Sequence, residues 1–278
     1  MSVKTSTFSL ESRDGLSLFG RSWLPDDAPL AALAIVHGLG EHSERYNHVG
    51  GYFAKRGYAV FAADLRGHGR SQGKRGHINH FDEYLDDAQV LLDYAHAQTP
   101  DLPLFLLGHS MGGLIALTCA LKRPQNLAAV IASGPGLRTR MKVPAWKTTL
   151  GNLMSSVFPS LSMPNGIDPN HISHDPEIVS AYISDPLNHN KVTARWYTEF
   201  TNAGEWALQN AGKLGIPALI LQGGGDPIVD PGGAKAFFDR INHSHKKHIE
   251  YPGLYHEILN EPEKLQVMDD IQTWLASV

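Results

Sequence analysis

Residues 104–113 read LFLLGHSMGG, a Gly-x-Ser-x-Gly pattern centred on Ser110. Average glycine usage gives such a pattern about 0.1 times by chance in a chain this long, so the pattern alone carries little. Its setting carries more. A strongly apolar run precedes it and a helical pattern, MGGLIALTCALK, follows. In a strand–turn–helix arrangement of this kind a serine sits on a strained turn with its hydroxyl exposed above a sheet. Gly108 and Gly112 leave room that a β-carbon would crowd. The helix N-terminus behind Ser110 favours developing negative charge. The chemistry this suggests is attack by a serine oxygen; the alternative is a serine in a glycine-rich turn with no chemistry.

A serine hydroxyl is a poor nucleophile until a base takes its proton. That base, and an acid to orient it, must come from elsewhere in the chain. ALILQGGGDPIVD places Asp226 after a later apolar run, in a glycine-rich loop that can turn back across the strand ends. Asp230 is the competitor; it precedes Pro231 and reads as a helix N-cap, which favours Asp226. For the base, His243, His245, His248 and His256 are candidates. The first two lie in the polar run NHSHKKH before the last strand, on the wrong end of the sheet, and His248 is near the strand start. His256 follows that strand and the turn YPGLY, at the end where Ser110 and Asp226 emerge. The roles expected are proton transfer by His256, with Asp226 fixing its tautomer. AIVHGLGEHSERY puts His37-Gly38-Leu39-Gly40 directly after a strand. Backbone N–H groups of Leu39 and Met111 are the expected donors to a developing alkoxide; the alternative is a plain tight turn.

These residues need a frame that brings them together. Continuous apolar runs at 31–36, 58–63, 104–108, 128–133 and 218–223 read as strands buried on both faces of a parallel sheet. Residues 8–12 and 16–23, joined at Asp14-Gly15, read as an antiparallel edge pair, and 247–251 as a last strand. Helical patterns fill the gaps at 46–56, 81–98, 111–122, 232–241 and 262–276, so the order implies helices on both faces. The order breaks between about 138 and 208, where six prolines from Pro144 to Pro186 predict several short helices. That stretch reads as a helical lid over the strand ends, inserted between core segments 1–137 and 209–278. Within it Trp146, Leu150, Leu153, Met154, Val157 and Phe158 fall on one stripe. The stripe either packs onto the core or faces the substrate; Trp146, Leu150, Leu153 and Met154 are the candidate substrate contacts.

The chain has 278 residues, 24 Lys+Arg against 28 Asp+Glu, and a formal net charge of −4. That balance argues against nucleic acid as a partner. A mean hydropathy of −0.22 and no apolar run near the roughly 20 residues a bilayer needs argue against a transmembrane helix. The first residues, MSVKTSTFSLESRDG, lack a signal peptide's apolar stretch. One cysteine, Cys119, makes no intrachain disulfide, so the cytoplasm is the expected compartment. His243, His245 and His248 lack the carboxylate or cysteine spacing of a zinc site, and no phosphate-loop, nicotinamide or flavin motif is evident. The mechanism expected needs no cofactor and no metal.

Together these segments resemble the α/β-hydrolase superfamily, and more narrowly the monoacylglycerol lipases and bacterial lysophospholipase-like serine esterases. The resemblance rests on HGLGEHSERY, DLRGHGRSQGKRGHI from Asp64, GHSMGG, SDPL at Ser184, GGGDPIV and YPGLYHEILNE, and runs from about residue 7 to 276. It implies the α/β-hydrolase fold, with a mostly parallel eight-stranded sheet, helices on both faces and an inserted helical lid. The charges of the Asp64 motif are expected to brace loops rather than catalyse. The activity implied is carboxylester hydrolysis through an acyl-enzyme, with monoacylglycerol as the leading substrate. The rivals are lysophospholipase or short- and medium-chain esterase action, amidase, peptidase or perhydrolase chemistry on the same fold, and a non-catalytic ligand receptor. The expected partner is a small lipid ester, with at most transient membrane-surface contact through the lid.

Overall fold

The computed structural model describes residues 3–140 and 154–278. Ten strands fall among them: β1 (Val3–Glu11), β2 (Ser17–Pro25), β3 (Ala31–Val36), β4 (Tyr58–Ala63), β5 (Leu104–His109), β6 (Ala129–Ser133), β7 (Ser162–Pro164), β8 (Lys191–Thr193), β9 (Ala218–Gly223) and β10 (Lys246–Tyr251). Eight build one sheet in the order β1-β2-β4-β3-β5-β6-β9-β10, and β7 pairs with β8 apart from it. β1 and β2 run antiparallel across a turn in which Gly15 adopts φ 83°. From β4 to β10 the neighbours in the sheet are parallel.

The α-helices lying wholly within the described residues are α1 (Asn47–Ala54), α2 (Asp82–Gln98), α3 (Met111–Lys122), α4 (Pro176–Ser184), α5 (Ala194–Asn210), α6 (Pro231–Arg240) and α7 (Lys264–Leu275). Every residue of β3, β4, β5 and β9 is buried, because both faces of the sheet are covered. Ala32, Ala34, Leu104 and Leu106 face one core with Tyr84 of α2, Leu114 of α3 and Phe237 of α6. Leu33, Ile35, Phe105 and Leu107 face the other with Phe53 of α1 and Val267 and Trp274 of α7. Each fully buried leucine of this kind contributes about 1.5–3 kcal/mol. No helix among the described residues is long and apolar enough to cross a membrane.

Helix α5 begins within the 138–208 stretch read from the sequence as a lid, and its Trp196, Ala203, Ala207 and Leu208 belong to the same core cluster as Leu114 and Leu117 of α3. An amphipathic pattern gives a helix's buried stripe but not the surface it covers, so the pattern alone does not part α5 from the insertion that precedes it. Ahead of α5, helix α4 buries none of its residues. It is tied to the loop after β3 by His42, whose Nε2 lies 2.9 Å from Asp185 Oδ2. The N–H of His189 donates to Gly40 O at 2.9 Å beside it.

Where α3 crosses β3, Gly112 leaves no room for a side chain: a Cβ there would lie 2.1 Å from Val36 O. Gly112→Ala should therefore destabilise the fold by about 1–3 kcal/mol or more through overpacking. Gly51 of α1 faces open space, and a Cβ there would meet nothing within 4 Å, so Gly51→Ala should stabilise by about 0.5–1 kcal/mol. Urea unfolding of the two variants checks both signs.

Candidate active site

Strand β3 lies between β4 and β5, so the chain leaves it in a crevice at the carboxyl ends where strand order reverses; α/β sheets place ligands there. Register sets what meets at that point. Val36 pairs with Gly108, which brings the 37–40 turn beside the end of β5. His109 pairs with Ser133. Ser110 caps the N-terminus of α3 at φ 54°, ψ −117°, a conformation that costs a non-glycine residue about 1–3 kcal/mol. It is partly exposed while the residues on either side are buried.

Ser110 Oγ lies 2.8 Å from His256 Nε2, and His256 Nδ1 lies 2.7 Å from Asp226 Oδ2. Asp226 is fully buried. Its Oδ2 also accepts from Gln222 Nε2 at 2.9 Å, and its Oδ1 from the N–H groups of Ile228 and Val229 at 2.8 and 3.0 Å. Burial works to raise its pKa, but His256 and these donors outweigh it and hold the carboxyl below its usual range. An ionised Asp226 can only accept, so Nδ1 of His256 carries the ring proton and Nε2 is left to accept the Ser110 O–H. Burial disfavours the His256 imidazolium, yet the Asp226 carboxylate, with Glu257 and Glu41 behind it, raises its pKa above the ordinary value. The arrangement can strip a proton from Ser110 and hold the resulting imidazolium.

The turn after β3 lies against the serine: a Cβ on Gly38 would sit 3.2 Å from Ser110 Cβ. His37 fixes this turn. The N–H of Leu65 donates to His37 Nε2 at 2.9 Å, so Nδ1 carries the proton and donates to Gly38 O at 2.7 Å. Gly38 O and the Leu39 N–H share one peptide plane, so the ring sets the direction of that N–H. Burial lowers the His37 pKa and keeps the ring in this neutral form. Met111 is the first residue of α3, where an N–H has no partner within its own helix.

The other candidates fall as follows. Asp230 caps α6, accepting from Gly232 N–H at 3.0 Å, and does not touch His256. His243 and His245 precede β10 and His248 lies within it, toward the amino-terminal end of the sheet. Among the described residues no group of three or more His, Cys, Asp or Glu is placed to hold a metal. Trp146, Leu150 and Leu153 lie outside the described residues. Met154 is half-buried, whereas Val157 and Phe158 are 56% and 58% exposed, so the far end of the stripe faces solvent. Asp64 braces loops: it accepts from the N–H and hydroxyl of Ser43 and from the N–H of Arg70. The reading of the sequence assigns no role to the side chains of His37, Gln222, Glu41, Arg45 and Glu257. The Glu41–Arg45 pair had a signal, a spacing of four residues straight after a strand-end turn; the others had none in local sequence.

The chain matches the family described as serine aminopeptidase, S33, over residues 27–263. It is 34% identical over 279 residues to a monoacylglycerol lipase of Mycolicibacterium smegmatis, covering 100% of this chain and 99% of that protein. It is 35% identical over 243 residues to the phospholipase YtpA of Bacillus subtilis, covering 87% of this chain and 93% of that one. The crystal structure of the Paleococcus ferrophilus monoacylglycerol lipase superposes with a TM-score of 0.81 at 32% identity, covering 100% of this chain and 99% of the other.

A fluorophosphonate should modify Ser110 by way of neutral His256, so the labelling rate should fall as pH drops through a pKa above the ordinary histidine value of about 6.5. A pH-independent rate across that range would contradict the raised His256 pKa. Asp226→Asn should cut turnover by about 10⁴-fold, because the amide favours the wrong imidazole tautomer. Asp230→Asn keeps an N-cap acceptor and should change turnover little; steady-state rates of the two variants decide.

Proposed function

Since the chain belongs to the serine aminopeptidase S33 family of α/β-hydrolases and is a carboxylic ester hydrolase, we propose that it hydrolyses single-chain lipid esters, foremost monoacylglycerols, through an acyl-enzyme on Ser110. The observation that carries the mechanism is the hydrogen-bonded chain from Ser110 through His256 to Asp226, at 2.8 and 2.7 Å. His256 Nε2 takes the Ser110 proton as Oγ bonds to the ester carbonyl carbon. The alkoxide is held by the N–H groups of Leu39 and Met111. As the tetrahedral species collapses, the C–O bond to glycerol breaks and His256 returns its proton to the leaving alcohol. Water then attacks the acyl-Ser110 carbonyl while His256 takes its proton. Collapse releases the fatty acid and restores Ser110 O–H.

The choice of a monoacylglycerol draws its support from relatives of that name aligned along the whole chain. A lysophospholipid is the second reading, favoured by the likeness to the phospholipase. Leu161 and Met163, 47% and 40% exposed, follow the exposed Val157 and Phe158 in one short segment of the insertion; they fit brief contact with a lipid surface. The cytoplasm is the proposed compartment, on the ground of the single cysteine.

Turnover of a panel of mono-, di- and triacylglycerols and lysophosphatidylcholine tests this reading. Monoacylglycerol should be preferred, and kcat/KM should rise from acetate to octanoate esters, since each buried methylene contributes about 0.8 kcal/mol. Ser110→Ala should lose about 10⁶-fold in kcat. Equal rates on acetate and octanoate, or preference for triacylglycerol emulsions, would refute the lipid reading and leave a generic esterase. Preference for lysophosphatidylcholine would favour the second.

A further inference from the structure

Two segments of the site come from opposite ends of the chain: the turn that carries the Leu39 N–H and the loop that carries His256. One buried ion cluster joins them. Glu41 Oε1 accepts from the Gly38 N–H at 2.6 Å and from the Tyr46 hydroxyl at 2.8 Å. Its Oε2 accepts from Arg45 Nη1 at 2.6 Å. The same guanidinium grips Glu257 with both nitrogens, Nη1 to Oε1 at 2.8 Å and Nη2 to Oε2 at 2.7 Å. Asn260 Nδ2 donates to Glu257 Oε2 at 2.8 Å. Glu41 and Glu257 are 3% and 5% exposed.

We infer that Arg45 is a positioning residue for this hydrolase, a clamp that sets the Gly38–Leu39 peptide and the His256 loop at a fixed separation across Ser110. The inference rests on the proposed acyl-enzyme function. Gly38 is one residue before the Leu39 donor, and Glu257 is one residue after the base. A planar guanidinium bonded to two carboxylates at once fixes both distance and angle. Its face also lies 4.8 Å from the Tyr182 ring of α4, so the insertion packs on the same group. A misplacement of about 1 Å between an oxyanion donor and a base costs about 10²-fold in rate. Neither Arg45 nor the two carboxylates is bonded to Ser110 or to the His256 ring, so they act through the groups they hold.

The cluster also sets the charge that His256 feels. The groups facing His256 are Asp226, Glu41 and Glu257, whose carboxylates raise its pKa, and His109, whose ring is 4.9 Å away. His109 is kept neutral, its pKa pushed down to about 4 by burial and by His256. Arg45, the cation of the cluster, holds Glu41 ionised at about 2 against the opposing effect of burial.

The test is steady-state hydrolysis of p-nitrophenyl octanoate by Arg45→Met, Arg45→Lys and Glu257→Gln, with rates expressed per active site titrated by a fluorophosphonate. Arg45→Met should lower kcat by about 10- to 100-fold with KM within about twofold of the unaltered enzyme. Arg45→Lys keeps the charge without the fork and should fall between the two. Glu257→Gln removes a carboxylate facing His256 and should move the acid limb of kcat/KM to lower pH. A per-site kcat for Arg45→Met equal to that of the unaltered enzyme, or a loss confined to KM, overturns the clamp. If Arg45→Met does not fold, Glu257→Gln decides: an unmoved acid limb with unchanged kcat overturns it. If the unaltered enzyme labels with fluorophosphonate but does not cleave the ester, the function reading fails instead. The labelling rate then takes the place of kcat in judging the clamp.

Discussion

Ser110 is held at φ 54°, ψ −117° by the backbone on both sides of it. Its N–H donates to Ser133 O at 2.9 Å, and its own carbonyl accepts from the N–H groups of Gly136 at 2.9 Å and Leu114 at 3.1 Å. These bonds tie the turn to the segment around β6 in front and to α3 behind, and they outweigh the cost of the strained angles. They can form only because β5 ends level with β6 and α3 turns back closely over β3. The close approach is visible at Gly112, where a Cβ would lie 2.1 Å from Val36 O. The parallel sheet is therefore a condition of the chemistry. It places a strained serine, a helix N-terminus and the turn after β3 at one point.

Around that point the protein buries charge and satisfies it. Asp226 takes hydrogen bonds from His256, Gln222, Ile228 and Val229, which is why a carboxylate with no exposure stays ionised. Glu41, Arg45 and Glu257 form a second cluster with the same logic. A buried pair is poor evidence for stability, because desolvation offsets much of the attraction. Removing one partner is costly, however, and that asymmetry fixes geometry. In this molecule the geometry fixed is the separation between the turn holding Leu39 and the loop holding His256. The two clusters divide the work: Asp226 orients the ring, while Arg45 ties together the backbone on either side of the serine.

The continuous apolar runs that became β3, β4, β5 and β9 were legible because strands buried on both faces need no information about their neighbours. Asp230 was separable from Asp226 because Pro231 follows it, the mark of a helix start, and Asp230 does cap α6. Elements whose meaning lies in tertiary placement were not legible. Helix α5 looks like any amphipathic helix, and only the closed fold puts Trp196 and Ala207 under α3. Arg45 and Glu257 lie 212 residues apart, and nothing near either residue announces the other. His37 looked like part of a turn motif; its function depends on the N–H of Leu65, which arrives from the end of β4.

Product partitioning tests most directly whether hydrolysis passes through one acyl intermediate on Ser110. Octanoate esters with different alcohol leaving groups would be hydrolysed in the presence of a fixed concentration of methanol, and octanoic acid and methyl octanoate quantified. A common acyl-enzyme predicts one acid-to-ester ratio whatever alcohol has left, with both products lost in Ser110→Ala. A ratio that changes with the leaving group, or acid formed by Ser110→Ala at the unaltered rate, would contradict it.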